Sequence, residues 1–303
     1  MTFVQGPVRV TVPATSANLG PGFDALGLAL SMRDELTAEA TAPGTRVEIT
    51  GAGADTVPRD ATHLVVRSML AAFDLLGGRP AGIALTCRNR IPHGRGLGSS
   101  SAAIVAGVSL ARALVGGGSL LIDDDRLFGL VAEIEGHPDS VAPAFHGGLV
   151  ISGREDGRFF AVPAVVDPRV TVVVFVPPNA LETTVARGLL PETVPHADAA
   201  ANAGRAALLV AALAGRPEHL LLATRDYLHQ DQRAPAMPAS AELVRSLRAD
   251  GVPAVISGAG PTVLAFCDGP ACTPGSAEVL LDRCPDDWVA HHLEVERAGV
   301  LVG

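Results

Sequence analysis

"PHGRGLGSSSAA", residues 92–103, sets Gly94, Gly96 and Gly98 at alternating positions ahead of Ser99, Ser100 and Ser101, which open an apolar helical pattern. Glycines so spaced let the backbone take conformations closed to other residues and approach a ligand closely. The serines then fall in a first helical turn, where amide N–H groups lack intrahelical partners and the helix dipole favours an anion. That is phosphate-binding chemistry; the alternative is a plain strand-to-helix turn capped by serine. The dinucleotide pattern GxGxxG fails because position 99 is serine, and no acidic residue follows a second strand about 20 residues on. The hydrolase elbow GxSxG fails as well, because Ser100 is flanked by serines. All 23 residues counted as Lys+Arg are arginines. This removes the P-loop lysine and every Schiff-base or lysine-base mechanism. Any phosphate bound here is held by amides, hydroxyls and arginine.

Working outward, "GIALTCR" (82–88) reads as a strand entering the loop, and residues 100–115 as the helix leaving it, stopped by Gly116, Gly117 and Gly118. Residues 8–12 alternate as a strand, 13–22 break the pattern with turn residues, and 23–30 resume an apolar strand-like run. A strand at 46–50 precedes a helix at 62–76, with Thr62 as N-cap and Gly77 and Gly78 as the stop. Residues 123–135 form a helix with aspartates in its first turn, 136–148 a polar Gly/Pro-marked connection, and 148–152 a strand. Beyond a boundary near 163–168, strands at 170–176, 253–257, 262–267 and 289–297 alternate with helical stretches to give β-α-β-β-α-β, the ferredoxin-like order. The expected domains are 1–165 and 166–303, in line with a length of 303 residues.

Composition narrows the field. With 48% hydrophobic and 18% charged residues the chain has the make-up of a globular protein. A net charge of −9 opposes a nucleic-acid partner. No apolar run approaches the roughly 20 residues needed to cross a bilayer, so no membrane partner is expected. The opening "MTFVQGPVRV" lacks a basic segment followed by an apolar one. Cys87, Cys267, Cys272 and Cys284 form no CxxC pair, which points to reduced thiols and a cytoplasmic location.

Three segments in order carry a family resemblance. "IPHGRGLGSSSAA" closely resembles the second motif of the GHMP small-molecule kinases. "VPATSANLGPGFDALGLAL" (12–30) resembles the first motif, in the form typical of the family's homoserine-phosphorylating branch, and "AVISGAGPTVLAF" (254–266) resembles the third. "EGHPDSVAP" (135–143) and "LHQDQR" (228–233) extend the likeness over most of the chain. The resemblance implies an α+β fold of two domains: an N-terminal ATP-binding domain like ribosomal protein S5 domain 2, and a ferredoxin-like C-terminal domain. It also implies ATP and Mg²⁺ as cofactors, phosphorylation of the L-homoserine side-chain hydroxyl on the way to threonine, and a homodimer. The alternatives are a kinase of the same family acting on another small alcohol, such as a mevalonate-pathway compound, and a non-catalytic binder.

The resemblance further implies site residues. The stretch Pro92, His93, Gly94, Arg95, Gly96, Leu97, Gly98, Ser99, Ser100, Ser101 and Ala102 cradles ATP, with His63 and Thr183 at the nucleotide. Arg95 reads either as a phosphate contact or, preferably, as a solvated side chain. Ser99 and Glu133 hold the metal, with Glu135 as the competing register. Two residues apart on a helix, only one of these glutamates can face the site. Homoserine is a zwitterion, and Arg187 and Arg233 match the arginines that bind its carboxylate. Asp24 matches the acid that meets the ammonium, and Asn18 the amide near the reacting hydroxyl. His137 and Asp139 match further substrate positions, with a general-base role for Asp139 left open. Ser140 stands where the family usually has Asn, and His63 where many members have Asn.

Overall fold

A computed structural model describes residues 1–267 and 275–303; Cys272 lies outside them. Strand β1 (Val8–Ala17) pairs antiparallel with the long β2 (Leu26–Thr41). Where the turn residues suggest a break, β1 continues to Ala17, and its register against β2 shifts between Pro13 and Ala14. Such a bulge accommodates a proline within a sheet and bends the strand. Past the bulge, β1 meets the glycine loop, and Thr15 N donates to Leu97 O at 3.0 Å.

Strand β3 (Gly44–Gly51) runs parallel to β4 (Gly82–Asn89), and helix α1 (Leu64–Leu76) connects them. Thr62 does not cap α1: its hydroxyl and N–H both donate to Asp60 Oδ1, at 2.6 and 2.8 Å, and His63 takes the cap position. Gly77, at φ 95°, ends the helix as expected. Helix α2 (Ser99–Leu114) leaves the glycine loop and buries Ile104, Val105, Val108 and Leu110 completely or nearly so. Each such side chain contributes roughly 1.5–3 kcal/mol, which anchors the loop at the helix start.

A one-turn α3 (Gly118–Leu121) precedes α4 (Asp124–Glu135), which Asp123 caps by accepting from Arg126 N at 2.9 Å. The segment expected as a polar connection is a helix, α5 (Pro138–His146). It is buried on every side through Phe145, so its polar residues mark no solvent-facing side. Pro138 occupies the first turn, where a missing N–H costs nothing. A hairpin follows: β5 (Leu149–Glu155), the two-residue turn Asp156-Gly157 with both φ positive, and β6 (Arg158–Ala164). Strand β6 lies where no strand was expected; Asp-Gly between apolar runs is its hairpin signal.

The second half comprises β7 (Thr171–Val176), α6 (Thr183–Gly188), α7 (His196–Leu213), the short α8 (Leu220–Ala223) and α9 (Gln230–Arg233), and α10 (Pro238–Ala249). Strand β8 (Ala254–Ile256), β9 (Val263–Cys267), α11 (Ala277–Leu281) and β10 (Val289–Glu294) complete it. Its sheet has the order β10-β7-β9-β8, antiparallel throughout, which is the ferredoxin-like topology. The first sheet runs β11-β1-β2-β4-β3, with β5 and β6 extending from β2. Strand β11 (Leu301–Val302) pairs with β1, so the end of the chain returns to the first half. One hydrophobic core also spans both halves, joining Val12 and Leu28 to Val172, Leu264 and Phe266.

Candidate active site

A single hydroxyl ties three distant segments together. Ser257, just after β8, has its Oγ 2.8 Å from Ser16 Oγ on β1 and 2.7 Å from Gly96 O in the glycine loop. The cleft around this junction is lined by Gly94, Gly96, Gly98, Ser99, Ser100 and Ser101 on one side. Asn18, Glu135, His137, Asp139, Thr183, Arg187, Arg233 and Gly258 complete its wall.

Gly98 sits at φ 71°, and a Cβ there would lie 2.0 Å from Thr15 Oγ1. Only glycine fits, because the left-handed backbone and the close approach of β1 are required together. The helix start therefore faces the cleft with no side-chain cap on its amides. Within the stretch assigned to ATP, Pro92, Leu97 and Ala102 line neither the cleft nor the adjoining cavity; Leu97 and Ala102 are fully buried and hold the loop in place. Arg95 is half-buried and lines the cleft, and its side chain is tied to the backbone. Its guanidinium donates to His93 O at 2.6 Å, Pro177 O at 3.3 Å and Pro178 O, strapping the loop to the chain after β7.

The two glutamates considered for the metal face different ways, and Ser99 lines the cleft with Glu135. Glu133 is exposed and borders a separate surface depression with Asp125 and Phe160, whereas Glu135 lines the cleft. Two helical positions rotate a side chain by about 200°, which turns one residue away when the other faces in. Glu135 Oε1 accepts from Ser100 Oγ and Ser101 Oγ, each at 3.1 Å. The hydroxyls bonded to the carboxylate are thus those of Ser100 and Ser101 rather than Ser99. Burial raises the Glu135 pKa, against the lowering effect of His137 and the two serines. The unusual Ser140 has its Oγ 2.8 Å from Ser101 Oγ. These groups form an all-oxygen donor set of one carboxylate and neighbouring hydroxyls.

At the other end, the first motif adopts left-handed backbone at Asn18, Leu19 and Asp24, with φ of 68°, 52° and 56°. Such strain is held only where surrounding structure enforces it. Asn18 supplies part of that enforcement: its amide donates to Gly258 O at 2.9 Å and accepts from Asp24 N at 3.0 Å. Arg187 and Asp24 pair at two points, 2.6 and 3.1 Å, and this pairing raises the Arg187 pKa. Thr183 and Arg187 lie one turn apart on α6, on the same face.

Arg233 is 2% exposed. It donates to Ala186 O at 3.2 Å, and its Nη1 lies 3.3 Å from His229 Nδ1. His229 Nε2 is 2.8 Å from Gly20 O, so its proton sits on Nε2 and Nδ1 accepts from the arginine. Phe23 lies under both guanidiniums, 5.6 Å from Arg187 and 5.2 Å from Arg233. Neither His229 nor Phe23 is expected at the site from sequence; Phe23 adjoins Asp24, and His229 lies one helical turn before Arg233.

His137 Nδ1 lies 3.3 Å from Asp139 Oδ1, and the carboxylate raises the imidazole pKa. The two atoms attract without hydrogen-bond alignment, since neither is hydrogen-bonded among the described residues. Thr15 Oγ1 and Arg187 Nε are likewise buried and unpaired. Buried polar groups ordinarily find partners, so this concentration marks the cleft as a place built for a polar ligand.

Gly27 explains how Asp139 reaches the cleft. A Cβ at Gly27 would fall 1.8 Å from Asp139 O, so β2 can pass against α5 only without a side chain there. Beside the cleft and sharing Ser99 and Ser100 with it lies a cavity of about 290 Å³, lined by His63, His93, Leu36, Cys87 and Ala103. Burial lowers the pKa of both histidines. Its size and apolar wall suit a nucleobase next to a phosphate loop.

Comparison with known proteins gives a consistent picture. The family model of the GHMP kinases N terminal domain matches residues 63–148, and that of the GHMP kinases C terminal domain matches residues 206–280. A homoserine kinase of Streptomyces coelicolor is 55% identical over 300 residues, covering 99% of this chain and 96% of that protein. A homoserine kinase of Clavibacter michiganensis is 48% identical, covering 97% of this chain and 93% of its own length. The crystal structure of homoserine kinase from Cytophaga hutchinsonii superposes with a TM-score of 0.85 at 27% identity, covering 100% of both chains. Leishmania major mevalonate kinase shares the fold, with a TM-score of 0.68 at 15% identity and 98% coverage of each chain.

Proposed function

The chain belongs to the GHMP kinases, and we infer from this and from its cleft that it transfers the terminal phosphoryl group of ATP to the side-chain hydroxyl of L-homoserine, giving O-phospho-L-homoserine for threonine biosynthesis. The observation that carries the substrate is the pairing of charges in one cleft. Arg187 and Arg233 line it and offer guanidinium groups to a carboxylate, and Asp24, bonded to Arg187, offers an anion to an ammonium. Mevalonate has no ammonium and would leave Asp24 without a ligand partner.

In this reading the amides at the start of α2 and the glycine loop hold the phosphates. The larger cavity takes the nucleoside, with His63 and His93 in its wall. Arg187 and Arg233 clamp the substrate carboxylate in bidentate fashion, Asp24 binds the ammonium, and Asn18, His137 and Asp139 surround the hydroxyl. Thr183 closes the nucleotide side. The hydroxyl oxygen forms the new bond to phosphorus while the bond to ADP breaks, and its proton leaves by way of the transferred phosphoryl oxygens. Asp139 orients the hydroxyl in this scheme and is not assigned as a base.

Glu135 and Ser100 suit Mg²⁺, which prefers oxygen ligands and usually takes one or two carboxylates with phosphate oxygens. When bound, the ion neutralises charge on the phosphoryl oxygens. The protein works in this reading as a cytoplasmic homodimer, a state that light scattering after size-exclusion chromatography tests. The main test is a coupled ADP-release assay over L-homoserine, R-mevalonate and L-threonine. L-homoserine is expected to give the highest kcat/KM; a preference for mevalonate would overturn the substrate assignment.

A further inference from the structure

One buried charge takes no part in the scheme above. Asp34, on β2, is 5% exposed and forms part of the wall of the 290 Å³ cavity. Its Oδ1 accepts the backbone N–H groups of Arg90 at 2.6 Å and Ile91 at 2.9 Å. No cation pairs with it among the described residues, and Oδ2 makes no hydrogen bond there. Taking a carboxylate from water without a counter-charge is costly, and the cost shows as a pKa pushed up to about 6 by burial. The rest of the wall is uncharged. Burial lowers the pKa of His63 and His93 and pushes the Cys87 thiol up to about 12. A costly, unpaired carboxylate in an otherwise neutral cavity points to a role toward a ligand.

The ligand chemistry follows from the geometry. With Oδ1 occupied, the carboxylate offers a single acceptor, suited to one N–H donor rather than to the two parallel donors on one edge of guanine. We propose that Asp34 Oδ2 accepts the exocyclic amino group of the purine, so that the cavity selects a 6-amino base over a 6-oxo base. A 6-oxo base would set its oxygen against the carboxylate oxygen, a repulsion that discriminates as strongly as the attraction does. This rests on the reading that the cavity receives the nucleoside.

Asp34→Asn provides the test, because the Asn carbonyl can keep both backbone N–H partners while its NH₂ replaces the acceptor with a donor. We would measure kcat/KM with ATP, inosine triphosphate and 2′-deoxyATP for the wild type, Asp34→Asn and Ala103→Phe, confirming each fold by its melting curve. The wild type should prefer ATP to inosine triphosphate by about tenfold to a hundredfold, the range of one hydrogen bond to a charged group. Asp34→Asn should erase or invert that preference and leave the ratio of 2′-deoxyATP to ATP unchanged. An unchanged base preference in folded Asp34→Asn overturns the proposal, as does a change confined to the 2′-deoxy ratio, which would mean a ribose contact. Ala103→Phe, which fills the cavity, should raise the KM for every nucleotide. If it does not, the cavity is not the nucleoside site, and both the proposal and that part of the functional reading fall together.

Discussion

Asp24 and Arg187 come from opposite halves of the sequence, 163 residues apart, and form a two-point ion pair of 2.6 and 3.1 Å; Arg187 lines the cleft, and Asp24 reaches it through that pair. The two were expected to bind opposite ends of a zwitterion. A homoserine molecule engaging both would exchange one internal pair for two external ones, so the partners hold each other in place for the ligand. About a third of each side chain is exposed. Solvent therefore screens the pair, and its own contribution to stability is modest.

Asp24→Ala and Arg187→Ala are each expected to raise the homoserine KM by about 30-fold or more, the cost of leaving a charge unpaired. The double variant should lose less than the product of the two, since the residues share both partner and ligand. Steady-state kinetics on the four proteins decides this; strictly multiplicative losses would mean that the two act independently.

Glu135→Gln should lower kcat by about a hundredfold or more, as loss of an electrostatic group at the phosphoryl site does, and should shift the Mg²⁺ dependence. Glu133→Gln should stay within about twofold, because that side chain faces solvent on the far side of α4. Titrating Mg²⁺ against activity separates the two. Equal effects would reject the assignment of Glu135.

His229 acts through Arg233. Fixed by Gly20 O on one ring nitrogen, it presents the other to the guanidinium at 3.3 Å. His229→Ala should raise the homoserine KM with little change in the KM for ATP, and His229→Gln should recover part of the loss. A purely structural role would instead move both KM values and the melting temperature together.

Asp34 also predicts a pH dependence of stability. Its pKa is about 6 in the fold against an ordinary 3.8. Between those values the folded state binds more protons than the unfolded one, so this group's contribution falls as pH rises through the window and stays unfavourable above it. The penalty at pH 8 is on the order of 1–3 kcal/mol. Asp34→Asn should therefore melt higher than the wild type at pH 8, with the gain disappearing near pH 4. A gain that persists at pH 4 would point to packing rather than charge.

Much of the protein is legible in local sequence, because the signals there are themselves local. The alternating glycines before Ser99 announce a loop that only permissive backbone can form, and the absence of lysine restricts what can hold a phosphate. The β-α-β-β-α-β order of the second half follows from periodicity, and the charges at positions 24, 187 and 233 fit a zwitterion once the family resemblance is in view. What local signals could not supply was direction and depth. Helix α5 is buried all round, and its prolines mimic a loop. Strand β1 runs through Pro13 because a bulge in its pairing with β2 absorbs the irregularity. Glu135 rather than Glu133 faces the serines because α4 fixes the rotation of its last turn when it packs against α2 and α5. His229, Phe23 and Asp34 gain meaning only from neighbours that the chain brings back from far away. Sequence by itself determined which chemical groups this protein has and the order of most of its elements; tertiary packing decided which of those groups share a cleft, since distance and burial set their charge and reach.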